Sequence, residues 1–185
     1  MSWETILRVF KLIRIPALSV ALTFTITLGI YPILIVLIES QEKCNTSQRF
    51  SNDMFVPLQF LFYTIFDFVG RVAAGGVLTH VFSPSNVWIA AVSRVVFFPL
   101  FLLCNVQGSQ LPVVFVSDAI PILLVATFAF SNGYTASACM VFGPSLVRAE
   151  DAPLAGTIML FALTLGCLFG ACVSFLTLYI SQGYV

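Results

Sequence analysis

Residues 56–82 read VPLQFLFYTIFDFVGRVAAGGVLTHVF, an almost entirely apolar stretch that carries an acid, Asp67, and a base, Arg71. A bilayer core of about 30 Å is crossed by about 20 helical residues, so this run is long enough to span a membrane. It lacks the sustained alternation of polar and apolar residues that a barrel strand of about 10 residues requires. The stretch therefore predicts a transmembrane helix.

Four further apolar runs of similar length occupy most of the remaining chain: 15–38, 87–106, 113–142 and 154–180. Together the runs predict an all-α membrane protein with five transmembrane helices. We expect these helices to form a single domain that covers residues 1–185. Residues 83–86 and 107–112 are short polar joints, so the helices joined by each should be antiparallel neighbours.

The composition supports a membrane location and excludes other classes of function. Apolar residues make up 59% of the chain and charged residues 9%, whereas about a quarter of a soluble domain is charged. The net charge is zero, so no surface for a nucleic acid polymer is expected. A single histidine, His80, and cysteines without CxxC spacing predict no metal site and no cofactor. With neither paired aspartates nor a serine–histidine set, we expect no enzyme.

Cations before the first run predict its orientation. Arg8, Lys11 and Arg14 precede 15–38, and basic residues near span ends are retained in the cytosol. The run is too long for the apolar region of a signal peptide, which is about 7 to 15 residues. We therefore expect a cytosolic N-terminus and an extracellular C-terminus. The tripeptide beginning at Asn45 is then external, as an N-glycosylation acceptor or simply part of a solvated loop.

Prolines and small residues mark special positions in the runs. Pro32, Pro99 and Pro121 fall within predicted spans, where we expect kinks. Small residues recur at four-residue spacing, which is typical of close helix contacts. These residues are Gly70 and Ala74 in the second run, and Gly166 and Gly170 in the fifth.

Ionisable residues inside spans need compensation, because a charge at the centre of a span costs about 2.5 to 3.5 kcal/mol. Asp67 precedes Arg71 by four residues, the favourable order for a helical ion pair. The pair is either a structural lock between helices or a polar ledge where the hydroxyls and ring nitrogens of a ligand bind. Asp118 lies about one turn inside the fourth run.

Three further polar residues in the runs are expected to be structural: Arg94, Asn105 and Asn132. Arg94 either pairs with an acid on another helix or extends towards the cytosol. Asn132 should hydrogen-bond across helices, with contact to a substrate as the alternative.

Each run also contains a sequence pattern, and the patterns occur in a fixed order. They are TFTITL at 23–28 with Tyr31-Pro32, IFDFVGR at 65–71, RVVFFPLF at 94–101 with LCN at 103–105, FAFSNGY at 128–134, and AGTIM at 155–159. In this order the chain resembles the C-terminal half of the equilibrative nucleoside transporters.

The resemblance implies an eleven-helix fold related to the major facilitator architecture, of which this chain supplies spans seven to eleven. It implies facilitative transport of nucleosides such as adenosine and uridine, in the plasma membrane. Asp67 and Arg71 match the signature pair placed at the nucleoside, with Arg71 towards the ribose hydroxyls. The other implied pocket residues are Phe60, Thr64, Tyr31 and Cys167.

Two residues depart from the pattern of vertebrate relatives: Thr64 stands in place of asparagine and Cys167 in place of leucine. The first six spans of the family are absent from the sequence. We therefore expect transport to require the missing N-terminal half or a full-length homologue as a partner. The alternative is a truncated isoform or fragment that associates with a full-length carrier and does not itself transport.

Overall fold

The computed structural model describes residues 3–40, 54–76, 81–109, 112–115 and 117–182. The helices are α1 (Trp3–Ile30), α2 (Ile33–Leu37), α3 (Phe55–Gly75), α4 (Val87–Ser93), α5 (Phe97–Leu102), α6 (Ala119–Ser145) and α7 (Ala152–Gln182). Short 3₁₀ turns at Arg94–Val96 and Ala149–Asp151 lead into α5 and α7. The Asn45 tripeptide lies outside the described residues.

Four helical segments are long and apolar enough to cross a membrane: Trp3–Leu37, Phe55–Gly75, Ala119–Ser145 and Ala149–Gln182. The third apolar run forms a shorter segment, Val87–Leu102, made of α4, a 3₁₀ turn and α5. Large apolar side chains such as Leu123, Phe161 and Phe175 are exposed on the long helices. The all-α class is confirmed, and the fifth crossing stays a prediction.

Prolines account for two interruptions of the helices. α1 ends at Ile30 and α2 begins at Ile33, because Pro32 lacks the N–H that would continue the helix. The 3₁₀ turn Arg94–Val96 comes one turn before Pro99, whose ring would clash with the carbonyl four residues earlier. The kink expected at Pro121 is wrong, since this residue lies in the first turn of α6, where its missing N–H is not needed.

Several predicted span ends are also wrong. The fourth run becomes helical only at Ala119, so Asp118 precedes the helix as its N-cap residue and does not lie a turn inside it. The second run leaves the helix after Gly75, and the third leaves it after Leu102. Beyond Leu102 the backbone turns, and Val106 forms an antiparallel bridge with Ile38. Backbone groups near Val106 therefore hydrogen-bond to the segment after α2 and not within a helix.

α1 and α7 form one closely packed, parallel pair. Gly166 lies against the backbone of Ala21, and Gly170 lies against Leu28 further along both helices. A Cβ atom at either glycine would overlap the facing helix. The small residues of the fifth run therefore make the predicted helix contact.

α3 and α6 form the second close pair, also parallel. Gly133 lies against the backbone of Asp67, and Gly70 lies against the backbone of Phe130 and Tyr134. The expectation that α3 and α4 are packed neighbours is wrong, because α3 packs mainly on α6 and α4 packs mainly on α1. α3 ends at Gly75 and α4 begins at Val87, so the two helices are further apart in the chain than the polar residues 83–86 alone suggested.

The two pairs run in opposite directions. Thr27 meets Asn132, whereas Gly143, later in α6, meets Met159, which clusters with Val9 near the start of α1. One end of the bundle therefore holds the starts of α1 and α7 together with the ends of α3 and α6. At this end Arg8 and Asp151 form an exposed ion pair of 3.0 Å.

Candidate functional site

α3 carries an ion pair at mid-helix, on the face that also bears Phe60 and Thr64. Arg71 Nε donates to Asp67 Oδ2 at 2.8 Å, so the pair expected from the spacing is present. The Asp67 side chain is 16% exposed and that of Arg71 is 46% exposed. Within the described residues Arg71 makes no other hydrogen bond, so its two terminal amino groups can serve as donors to another molecule.

The second oxygen of Asp67 faces α6. Asn132 Nδ2 donates to Asp67 Oδ1 at 2.7 Å, and Asn132 Oδ1 accepts from Thr27 Oγ1 at 2.7 Å. Gly133 makes this contact possible, because a side chain there would overlap the Asp67 carbonyl. Asn132, which is 2% exposed, thus hydrogen-bonds to both α1 and α3.

Arg94 is 1% exposed and lies among helices α1, α4 and α6. Its Nη2 donates to Thr27 Oγ1 at 2.8 Å, and its Nη1 donates to the Phe128 carbonyl at 2.9 Å and to Ser131 Oγ. Its guanidinium carbon lies 4.5 Å from the centre of the Phe128 ring. Both interpretations of Arg94 from the sequence are wrong: within the described residues it contacts no carboxylate directly, and it does not extend towards solvent.

An aromatic cluster adjoins this polar network. The rings of Tyr31 and Tyr63 are stacked with centroids 3.9 Å apart, and Phe60 lies 5.2 Å from Tyr31. The ring centroid of Tyr63 lies 6.3 Å from that of Phe128, and the guanidinium of Arg94 lies over the Phe128 ring. The fold therefore brings Tyr31 and Phe60 together, two residues from separate predicted spans.

Three other predicted residues lie apart from these contacts. Thr64 is exposed and donates to the carbonyl of Phe60 in its own helix. Cys167 is half-buried on α7 and, within the described residues, makes no hydrogen bond or disulfide. Asn105 is half-buried beyond α5, where its amide donates to the Glu39 carbonyl at 3.1 Å.

Sequence reasoning missed Thr27, Ser131, Tyr63 and Gln59 as site residues. Tyr63 precedes Asp67 by one helical turn, and this spacing is a signal that could have found it. Thr27 and Ser131 offered no such signal, because a hydroxyl in a span usually bonds to its own helix. Gln59 is fully buried, and within the described residues neither its side-chain nitrogen nor its side-chain oxygen has a hydrogen-bond partner.

Within the described residues, His, Cys, Asp and Glu side chains form no cluster that could hold a metal ion. His80 lies outside those residues. The site instead offers one guanidinium, one carboxylate and neighbouring aromatic rings.

The chain is similar to known proteins over most of its length. Residues 1–179 match the family model described as nucleoside transporter. Equilibrative nucleoside transporter 1 of Homo sapiens is 42% identical over 181 residues, which cover 94% of this chain and 38% of that protein. Equilibrative nucleoside transporter 2 of Homo sapiens is 34% identical over 173 residues, which cover 93% of this chain and 37% of that protein.

The chain thus spans less than two-fifths of the length of these two relatives, whereas the match covers nearly all of the chain itself. The match includes α3 with Asp67 and Arg71, and α6 with Asn132. The chain therefore belongs to the equilibrative nucleoside transporter family.

Proposed function

We propose that this chain forms the C-terminal half of a facilitative nucleoside carrier and that Asp67 and Arg71 bind the nucleoside. The observation that carries the proposal is the half-exposed Arg71 guanidinium, which is held at Nε by Asp67 and retains free terminal donors within the described residues. A planar fork of donors next to a carboxylate suits the two adjacent hydroxyls of a ribose.

The aromatic residues supply a second part of the proposed site. Phe60 lies two turns before Asp67 on the same face of α3, about 10 Å along the helix axis. Tyr31 packs against Phe60 from the segment between α1 and α2. Flat apolar rings at this distance from the ion pair suit a nucleobase whose ribose is held by Arg71. Thr64 lies between these two groups along α3, whereas Cys167 on α7, which lies apart from these contacts, is included in the proposed lining only because the family resemblance implies it.

The direction of the helices supports five crossings of the membrane. The Val87–Leu102 segment runs parallel to α1, because Trp88 and Leu18 line the same groove and Phe98, later in the segment, lies beside Gly29, later in α1. The helices α1, α4–α5 and α7 therefore point one way, and α3 and α6 point the other, as five successive passes require. Asn132 lies midway along α6, so the polar network would lie near the centre of the bilayer, where transporters bind their substrates.

Uptake in cells lacking endogenous nucleoside carriers tests the proposal. The chain is expressed alone and together with the N-terminal half of a relative, and radiolabelled uridine and adenosine are supplied. We expect uptake in the co-expressing cells, because alternating access needs two halves around one site.

Substitution of Arg71 is the decisive variant in this assay. Arg71→Ala should abolish uptake at unchanged surface abundance, and Arg71→Lys should be impaired, because lysine keeps the charge and loses the planar fork. Arg8→Ala is the matched control, since it removes an arginine from the exposed ion pair with Asp151. Normal uptake by Arg71→Ala would contradict the proposed role of Arg71.

A second candidate is a chain that associates with a full-length carrier and does not transport. Large apolar side chains on the outer face of α7, among them Phe161, Phe169 and Phe175, would provide the surface for this association. Co-purification with a full-length relative, without uptake in the co-expression assay, would support this candidate.

A further inference from the structure

We propose that Arg94 and Thr27 are positioning residues, which orient the Asp67 carboxylate through a hydrogen-bond chain that can run in one direction only. The chain passes from Arg94 through Thr27 and Asn132 to Asp67, with distances of 2.8, 2.7 and 2.7 Å. The proposal deepens the proposed function, on which it rests for the role of Asp67 in binding the nucleoside.

The two ends determine the direction of the chain. Arg94 is a guanidinium and can only donate hydrogen bonds. Asp67 is paired with Arg71 and, as a carboxylate, can only accept them. Each group between the ends must therefore accept on the side of Arg94 and donate on the side of Asp67.

Thr27 and Asn132 meet this requirement in a single arrangement. Asn132 must turn its Nδ2 to Asp67, so its Oδ1 faces Thr27 and needs a donor. The hydroxyl of Thr27 supplies that donor and accepts from Arg94 with a lone pair. The Thr23 carbonyl, 2.7 Å from the same hydroxyl, competes for its one proton. Donation to Asn132 satisfies every member of the chain, whereas donation to the Thr23 carbonyl would take from Asn132 Oδ1 the donor that Thr27 supplies.

The members of the chain are too deeply buried to bind a substrate themselves. Arg94, Asn132 and Thr27 are 1%, 2% and 3% exposed, whereas Arg71 is half-exposed. They belong to the 3₁₀ turn, α6 and α1, while Asp67 belongs to α3. Their effect on a ligand must therefore pass through the orientation of Asp67 and, through it, of Arg71.

Transport kinetics of Thr27 variants test this role in the co-expressed carrier. Thr27→Val keeps the shape of the side chain and removes the hydroxyl, so we expect the KM for uridine to rise about tenfold, with the maximal rate per surface carrier little changed. Thr27→Ser keeps the hydroxyl and should restore most of the affinity. Thr164→Val is the control, because Thr164 makes the same bond to the carbonyl four residues earlier at an exposed position of α7.

A wild-type KM in Thr27→Val, or an equal defect in Thr27→Ser, would overturn the proposal. Should Thr27→Val fail to reach the membrane, Arg94→Lys replaces it, because lysine cannot hold both the Phe128 carbonyl and Thr27 with a planar fork. A rise in KM then supports the chain and an unchanged KM overturns it.

A double-mutant cycle on thermal unfolding of the purified carrier separates this proposal from the proposed function. Thr27→Val should lower the unfolding temperature less when Asp67 is already Ala than when Asp67 is intact, because Asn132 Nδ2 then has no side-chain acceptor at position 67 to be oriented towards. If the Thr27 and Asp67 variants are coupled but Arg71→Ala transports normally, the hydrogen-bond chain is supported and the role of Arg71 in binding is rejected. If their effects are additive and Arg71→Ala loses uptake, the binding role is supported and the hydrogen-bond chain is rejected.

Discussion

Gln59 shows at the residue scale how a polar group can be buried without compensation. It lies on α3 one turn before Tyr63 and is fully buried, and among the residues that the structure describes neither end of its amide has a hydrogen-bond partner. Such a group loses its bonds to water on folding and gains none in the protein, which costs about 1 to 3 kcal/mol. Arg94 is better satisfied, because in the described part of the chain both of its terminal nitrogens have hydrogen-bond partners and its Nε alone has none.

We predict that Gln59→Met stabilises the carrier. Methionine fills a similar volume and removes the unsatisfied amide, so the free energy of unfolding should rise by about 1 kcal/mol or more. Thermal unfolding of the purified carrier measures the change. Gln107→Met is the control, because Gln107 is exposed and its substitution should have little effect. A lower unfolding temperature in Gln59→Met would show that the amide has a partner in the folded carrier.

The contact between α3 and α6 determines, at the element scale, where the ion pair stands. Gly70 and Gly133 let the two backbones approach so closely that neither position has room for a Cβ atom. Asn132 can reach Asp67 only because its neighbour in sequence, Gly133, has no side chain. The same two elements thus supply both the packing surface and the hydrogen bond.

We predict that Gly133→Ala destabilises the carrier by about 1 to 3 kcal/mol, because the methyl group must push α3 away from α6. Gly75→Ala is the matched control near the end of α3, where an added Cβ meets nothing within 4 Å. This control should be neutral or slightly stabilising, since alanine favours the helix over glycine by about 1 kcal/mol. Thermal unfolding and surface abundance measure both variants, and equal effects of the two would contradict the close-contact argument.

The alternation of helix directions gives the whole molecule two distinct ends. The segments around Ile38 and Val106 meet at one end, where Ser40 also donates to Asp118. Arg8 and Asp151 meet at the other end. We expect these two ends to lie on opposite sides of the bilayer, and the cations at the start of α1 predict that the Arg8 end is cytosolic.

Labelling with a membrane-impermeant maleimide tests this orientation. Gln107→Cys and Glu150→Cys place exposed cysteines at the two ends, in a background where the native cysteines are replaced. We expect Gln107→Cys to be labelled on intact cells and Glu150→Cys only after permeabilisation. The opposite result would reverse the orientation, and labelling of both from one side would contradict the alternation.

The apolar runs predicted the all-α class and the approximate place of each long helix, because span length and hydropathy are local properties that the bilayer constrains. They did not predict the helix ends: α1, for example, begins at Trp3, before its run starts at residue 15. The four-residue spacing likewise predicted the Asp67–Arg71 pair, because both residues lie on one helix. Proline positions were harder to interpret. Pro121 reads as a kink only if its helix begins at 113, and the true start at Ala119 depends on contacts outside the run.

The partners of Arg94 show where local reasoning ends. Its neighbours, Thr27, Phe128 and Ser131, come from two other helices and lie at least 34 residues away in the chain. Which residues meet depends on the rotation and direction of each helix about its axis. Those are set by the glycine contacts of α1 with α7 and of α3 with α6, between elements remote in sequence. Helices and the ion pair followed from local chemistry, whereas the network that links the pair to Arg94 exists only through tertiary packing.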